Sequence, residues 1–350
     1  MGMKNLVIFG RIDDAHLRFI SRELPEDRVK CLFYDPLRLI RADIELPTEP
    51  GNLPLLCLEH PADEGEVTDV SVQEVRTPDE IDMIWLRNKK IMQIINNETD
   101  QRLYFSAREH QRLIHSLVRA YECRHFNTID ATIRQSDKVV QLQMARAVGF
   151  RVPKTLVSSN KSSIAKFVGE HENVIVKPLA TNFVPPPLDG SGEMVTLLTN
   201  MVTSEDLDRH DADSFAAAPA IYQRMIEKAY EVRLVAFGDE CVAYRIDSQA
   251  SEKGRLDWRR AQFEKIYHAM EATDEMRYLA AAYLKRAALA YGVFDLVVDR
   301  GGMLWFLECN SDGQWAWLEL EGDRPVARMF ARRILELLEG AEMPAATCMT

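Results

Sequence analysis

The sequence has no long apolar run, no closely spaced cysteine pair, no low-complexity tract and no excess of positive charge. Its N-terminal apolar stretch, Leu6 to Phe9, is far too short for a signal-peptide core or a membrane span, and no later stretch approaches spanning length. A cytoplasmic location without a membrane partner is expected. The six cysteines (Cys31, Cys57, Cys123, Cys241, Cys309 and Cys348) form no C-x-x-C pair and have no histidine at metal-site spacing, so reduced, structural thiols are expected. The 43 Lys and Arg are outnumbered by 54 Asp and Glu and interleaved with them, giving a net charge of −11. A phosphate backbone calls for a concentrated basic surface, so nucleic acid is not expected as a partner. What is present, 350 residues of which 47% are hydrophobic, is ample for a core divided over two or three lobes.

The chain starts like an α/β lobe. Leu6 to Phe9 reads as a strand ending at Gly10, Asp13 or Asp14 can cap a helix through Leu17 and Ile20, and Val29 to Tyr34 reads as a second strand. Gly10 lacks the following glycines of a dinucleotide fingerprint, so a plain strand-to-helix turn is expected there. Glu45 to Thr77, rich in Pro, Glu and Asp, reads as surface loops and edge strands, and Ile81 to Leu86 as another strand. Leu113, Ile114, Leu117 and Val118 make an apolar helical stripe between Asp100 and Tyr121. Ser136 is the expected cap of a helix bearing Val140, Met144, Ala147 and Val148, with Gly149 at its end.

From Asn173 the pattern turns to strands: Val174 to Val176 ending in Lys177, then Met194 to Leu198 after a Pro/Gly loop, which implies a flap. Ala220 to Gln223 and Val232 to Phe237 follow, the latter joined by Gly238-Asp239 to Cys241 to Ile246. Tyr278 to Tyr291 reads as helix, Phe294 to Val298 and Leu304 to Cys309 as strands, and Phe330, Ile334, Leu337 and Leu338 as a closing helix. The last ten residues read as loose.

The segment carrying most chemistry is Gly292 to Asn310. If Gly301-Gly302 is a two-residue hairpin turn, Arg300 pairs with Met303 and the same register sets Asp295 opposite Glu308, with Asn310 on the same face. Opposed carboxylates among apolar neighbours need a cation, and an oxygen-only set suits Mg²⁺ better than Zn²⁺. The competing readings are a register slipped by one residue, or a Glu308 paired with an arginine. Lys138 and Lys177 stand at element boundaries from which an ammonium can be aimed at a phosphate; for each, an ordinary solvated lysine is the alternative. The loop from Thr181 to Gly192 could cover phosphates with backbone N–H groups near Gly190 and Gly192, or be an ordinary loop.

Lys138, Lys177, the hinge-like Ile221-Tyr-Gln-Arg-Met-Ile226, Glu231-Val-Arg233, Phe294-Asp295 and Glu308-Cys-Asn310 together resemble the ATP-grasp family in order and spacing. The resemblance implies an α/β N-terminal lobe followed by an ATP-grasp fold, two α+β subdomains clasping ATP. On that reading 1–125 is the N-terminal domain, 126–220 the central subdomain with the phosphate loop, 221–340 the C-terminal subdomain and 341–350 a tail. It assigns Lys138, Lys177, Gln223, Arg224, Met225 and Ile226 to ATP, and Asp295, Glu308 and Asn310 to Mg²⁺. Arg224 departs from the glutamate that related amino-acid ligases often carry.

A narrower resemblance, to the graspetide or microviridin-type peptide maturases, rests on Asn127-Thr-Ile-Asp-Ala131, Gln141-Leu-Gln143, Glu231-Val-Arg233, Arg245-Ile-Asp-Ser-Gln249, Asp257-Trp-Arg259 and Glu308-Cys-Asn-Ser-Asp-Gly-Gln-Trp-Ala-Trp-Leu-Glu319. Those enzymes crosslink Asp or Glu side chains of a ribosomally made precursor peptide, leader and core, to Thr, Ser or Lys. By that resemblance Arg233 steadies an acyl phosphate, Arg259 holds a substrate carboxylate, and Asp257 orients the nucleophile or Arg259. Asp247 contacts the peptide, and Glu205 and Asp206 of an acidic helix start meet a leader arginine; a solvated helix start is the alternative for the last two. The oligomeric state, a homodimer included, is left open.

Overall fold

The computed structural model of the chain describes residues 2–10, 13–34, 41–45, 55–59, 81–87, 101–120, 123–180, 183–184, 195–261, 264–320, 323 and 325–340. They belong to two compact units: Met1–Ile133 with Ala288–Tyr291 and Gln314–Thr350, and Arg134–Ala287 with Gly292–Gly313. Among the described residues no helix is long and apolar enough to cross a membrane.

The first unit starts with β1 (Lys4–Phe9), α1 (Ala15–Glu23) and β2 (Val29–Tyr34), then the antiparallel pair β3 (Arg41–Glu45) and β4 (Leu55–Glu59). It continues through β5 (Met83–Leu86), α2 (Gln101–Ala120) and β6 (Arg124–Phe126). Strands β2, β1, β5 and β6 form a parallel sheet in that order. Asp14 is the cap of α1, its carboxylate accepting the His16 N–H at 2.8 Å. Most of the stretch read as surface loops and edge strands, and the tail after Gly340, lie outside the described residues, as does the side chain of Leu117.

In the second unit, α3 (Ile129–Ser136) runs in from the first, followed by α4 (Lys138–Val148), β7 (Thr155–Ser158), α5 (Lys161–Glu170) and β8 (Val174–Pro178). Strands β9 (Phe183–Val184) and β10 (Val195–Thr196) pair as a short antiparallel flap. Strand β10 is shorter than the expected Met194 to Leu198, and nearly all of the Thr181–Gly192 loop lies outside the described residues. Next come β11 (Asn200–Val202), α6 (Ser204–Asp208), α7 (Ala212–Ala216) and β12 (Ala220–Arg224), completing a four-stranded sheet ordered β11-β8-β12-β7. A second sheet, ordered β15-β14-β13-β16-β17, is built from β13 (Lys228–Phe237), β14 (Glu240–Ile246), β15 (Tyr267–Met270), β16 (Tyr291–Asp299) and β17 (Leu304–Asn310), with α8 (Asp274–Ala287) before β16. The closing helix α9 (Pro325–Leu338) belongs to the first unit.

Each unit has its own aromatic core, of the large, geometrically specific kind that fixes packing. Trp85, Phe126, Tyr291, Trp315 and Phe330 pack together in the first unit, and Phe150, Tyr283, Phe294 and Phe306 in the second. Helix α8 stops earlier than the expected Tyr291. Asn127, itself at φ 56°, accepts the Ala290 and Tyr291 N–H groups on its side-chain oxygen at 2.7 and 3.3 Å and donates to the Tyr291 carbonyl at 2.9 Å, pulling the chain out of the helix and into β16.

The cap of α4 is Asp137, not Ser136, which ends α3. The Asp137 carboxylate accepts the N–H groups of Val139 and Val140 at 2.9 and 3.1 Å, and Gly149 closes the helix at φ 105°. Replacing Asp137 by Ala is expected to remove about 1 kcal/mol of stability, and Ser136→Ala much less. Urea midpoints of the two variants measure this; equal losses would return the cap to Ser136.

Candidate active site

The site is built on the β16–β17 hairpin. Its turn is one residue longer than expected: Asp299 N–H bonds Met303 O at 3.0 Å and Gly302 N–H bonds Asp299 O at 2.9 Å, with Gly302 at φ 81°. This is the three-residue loop whose last position demands a left-handed backbone, which glycine adopts freely. Asp299 accepts the Gly301 and Met303 N–H groups, both at 2.9 Å, and the Trp305 indole N–H at 2.8 Å. That turn alone would slip the register, but an irregularity between Asp295 and Leu296 makes Leu307 an extra residue on β17. The two shifts cancel, and Asp295 stands opposite Glu308 with Val293 opposite Asn310. A bulge beside a functional side chain is a recurrent way of re-aiming it.

Alternation along β16 sends Phe294 into the aromatic core and Asp295 to the other face. Asp295 is 6% exposed, so its charge needs a close partner, and Arg233 of the adjacent β13 donates to its Oδ1 at 2.5 Å. Arg259 spans the remaining acids: its Nη2 lies 2.9 Å from Glu308 Oε1 and 3.5 Å from Asp295 Oδ2, and its Nη1 3.5 Å from Asp257 Oδ2. The competing expectation, an arginine on Glu308, is thus realised together with the opposed carboxylates. Burial pushes the Asp295 carboxyl above the usual range even against Arg233. Burial acts on Glu308 in the same sense, but Arg259, Lys138 and Lys177 outweigh it and hold that carboxyl low, at about 2.

Asp257, buried, accepts the Arg259 N–H at 3.1 Å and the Thr199 N–H at 3.4 Å, so it orients Arg259. Arg260 reinforces this, reaching the Thr199 carbonyl at 3.0 Å and Asn200 Oδ1 at 2.9 Å. Only its adjacency to Arg259 marked it in the sequence. Lys138, in the first turn of α4, donates to the Pro178 carbonyl at 3.1 Å. Burial lowers the Lys177 pKa to about 8, with Glu308 opposing and the charges of Lys138 and Arg259 assisting.

The hydrogen bonds and ion pairs of the other expected residues are made with groups outside this cluster. Gln223, buried, turns its amide to Thr155 Oγ1 at 2.9 Å, whereas Arg224, Met225 and Ile226 line a cavity of about 450 Å³ with Asn173, Glu227 and Arg300. Arg224 lies 5.7 Å over the Trp305 ring. Asp247 is engaged by Arg245 at 2.7 Å and His268 at 3.5 Å, with the Arg245 guanidinium 4.0 Å over Tyr230. Glu205 and Asp206 sit on α6 and both pair with Arg209; Asp206 also completes a capping box with Thr203. Asn310 is exposed, its Oδ1 accepting the Asp312 N–H at 3.2 Å.

Among the described residues no group of three or more His, Cys, Asp or Glu side chains could hold a metal. A cation here would rest on two carboxylates, an amide and the substrate's own oxygens, the small protein share usual for Mg²⁺. The donor set fits: it is all oxygen, and Asp295 Oδ2 is buried without a hydrogen-bond donor.

This architecture matches solved structures from end to end. A RiPP-associated ATP-grasp ligase of Chryseobacterium gregarium, in complex with ADP and a leader and core peptide, aligns with a TM-score of 0.79 at 20% identity, covering 99% of this chain and 100% of that one. The chain has the ATP-grasp fold. A Microcystis aeruginosa macrocyclase, MdnC, bound with its precursor peptide MdnA, aligns at 0.75 with 21% identity over 95% of this chain and 100% of that one. The D-cycloserine synthetase DcsG aligns at 0.52 with 15% identity, over 95% and 99%. No protein-family model and no curated protein matches the sequence. The ATP-grasp fold accounts for two sheets in one unit, each supplying cations or carboxylates to the cluster around Glu308.

Lys177 supplies a pH test of a phosphate site. Only its protonated form attracts phosphate, so with a pKa of about 8 ADP affinity is expected to fall as pH rises through that value. Lys177→Arg, which stays charged, flattens the profile. Calorimetric titrations from mildly acidic to alkaline pH decide it; identical profiles would remove Lys177 from the phosphates.

Proposed function

We propose that the chain is an ATP-dependent ligase that activates Asp or Glu side-chain carboxylates of a ribosomal precursor peptide as acyl phosphates and joins them to Thr or Ser hydroxyls or Lys amines. The observation carrying this reading is the cluster of Asp295, Glu308, Arg233, Arg259, Lys138 and Lys177 in an ATP-grasp fold. End-to-end similarity to two peptide-modifying ligases, higher than to the D-cycloserine synthetase, favours a peptide substrate over a small one. A ligase adding amino acids to a protein tail or small peptide is the second reading. A non-catalytic nucleotide-binding module is a third, opposed by the joint presence of both lysines and both carboxylates.

In the proposed mechanism Lys138 and Lys177 neutralise the phosphates, and Arg224, Met225 and Ile226, with Gln223 behind them, shape the nucleotide pocket. Asp295, Glu308 and Asn310 would hold Mg²⁺, which supplies charge neutralisation at the transferring phosphoryl group. Arg233 keeps Asp295 in place and leaves positive charge beside the acyl phosphate. Arg259 is held by Asp257 from behind, so a substrate carboxylate would replace Glu308 and Asp295 as its partner, and bidentate capture sets the angle of attack. Asp247 contacts the core peptide, and Glu205 and Asp206 a leader arginine. Asp206 is needed for its own helix cap, which makes Glu205, with a side chain 84% exposed, the cleaner probe.

Two variants should separate reaction from recognition. Arg259→Lys keeps the charge but loses the planar fork, and crosslinking should slow by about a hundredfold with leader and ATP affinities near normal. Glu205→Lys should weaken leader binding and leave ATP binding unchanged. Water loss per precursor followed by mass spectrometry, beside separate binding titrations, measures both. Crosslinking at the wild-type rate in Arg259→Lys, or unaltered leader affinity in Glu205→Lys, would withdraw the corresponding role.

A further inference from the structure

Strand β17 is the edge of its sheet, so on its outer side its backbone groups have no neighbouring strand to pair with. Two buried glutamines take that place at Cys309. Gln141 of α4 accepts the Cys309 N–H on Oε1 at 2.9 Å, and Gln135 of α3 donates through Nε2 to the Cys309 carbonyl at 2.9 Å. The two are tied together, Gln141 Nε2 donating to the Gln135 carbonyl at 2.6 Å, and Gln135 is steadied by Tyr283 Oη at 2.9 Å. Higher on the same edge, the Phe306 N–H bonds the Arg151 carbonyl at 2.8 Å.

Cys309 separates Glu308 from Asn310, and its side chain faces inward, 1% exposed. Its neighbours therefore present their side chains to the opposite face. The inner ladder is weakest where it matters most, because the irregularity at Leu307 interrupts pairing with β16 immediately before Glu308. The glutamine pair supplies the missing restraint from the outer side. Gln135 Oε1 is buried without a hydrogen-bond partner, a cost accepted so that Nε2 can serve both Cys309 and Tyr283.

We propose that Gln141 and Gln135 are positioning residues for the carboxylate pair: by holding both backbone groups of Cys309 they set Glu308 opposite Asp295 and so tune cation binding there. This rests on the nucleotide and Mg²⁺ reading of that pair. Partners that orient a ligand-bearing residue without touching the ligand typically change metal affinity by about ten- to a hundredfold.

The test is Mn²⁺ binding to the full chain in the presence of ADP, read by electron paramagnetic resonance. Gln141→Met, similar in volume but without donor or acceptor, should weaken Mn²⁺ about tenfold or more while metal-free ADP affinity moves by less than about twofold. Gln141→Glu, which keeps the acceptor for Cys309, should recover part of the loss; a general packing defect would not show this split or this recovery. Glu308→Gln serves as the control for the site itself. If the unaltered protein binds no Mn²⁺ with ADP, the metal reading fails and this proposal with it. If it binds and both Gln141 variants bind equally well, the clamp alone is overturned. Should Gln141→Met fail to fold, amide exchange at Cys309 in the unaltered protein decides: protection like that of a ladder residue supports the clamp, and rapid exchange overturns it.

Discussion

Two carboxylates facing each other across a β-hairpin, largely out of water, set the constraint from which the rest of the second unit follows. Asp295 and Glu308 repel, and neither can be buried charged without a counterion. Arg233 comes from the neighbouring strand and Arg259 from a 3₁₀ turn, and between them they reach both acids. Arg259 is in turn fixed by Asp257, and the turn is tied to Thr199 and Asn200 by Arg260. Those ties run from the five-stranded sheet to the edge of the four-stranded one, so the charge cluster spans both sheets.

The arrangement is poised rather than inert. Lys177, half-buried, has a lowered pKa, and Asp295 Oδ2 has Arg259 at 3.5 Å but no hydrogen-bond donor. On the proposed reading a ligand phosphate would meet Lys177, and its cation would bring Asp295 Oδ2 a closer positive charge than Arg259 supplies at 3.5 Å. Preorganised charge of this kind stabilises developing negative charge with little reorganisation.

Much of this was legible in the sequence because it is local. The hairpin follows from Gly301-Gly302 between apolar runs, the cap of α1 from the pair Asp13 and Asp14, of which Asp14 serves, and the end of α4 from Gly149. The opposition of Asp295 and Glu308 was anticipated through a two-residue turn, whereas the actual turn is longer and a bulge at Leu307 restores the register. Neither departure has a strong local signal. What could not be read is long-range: Arg259 meets Glu308 across 49 residues and Gln141 meets Cys309 across 168. Helix periodicity marks Gln141 only as a polar residue beside apolar ones. The motif ending in Glu319 is divided between the two units. Its first residues, Glu308 to Asn310, lie on β17, while Glu319, fully buried, accepts the N–H groups of Val326 and Ala327 at 2.6 and 3.2 Å and caps α9. His16 in the first unit likewise accepts the Trp315 and Ala316 N–H groups, a structural use of a motif residue's backbone.

The central claim is that this charge cluster serves ATP-dependent activation of a peptide carboxylate. It is tested most directly by following heavy oxygen from labelled Asp and Glu carboxylates of a precursor peptide with repeated Thr or Ser and Asp or Glu. Activation as an acyl phosphate predicts that each crosslink formed transfers one labelled oxygen to inorganic phosphate, with ADP as the other product. Label appearing in AMP, or crosslinks forming with no label in phosphate, would contradict it.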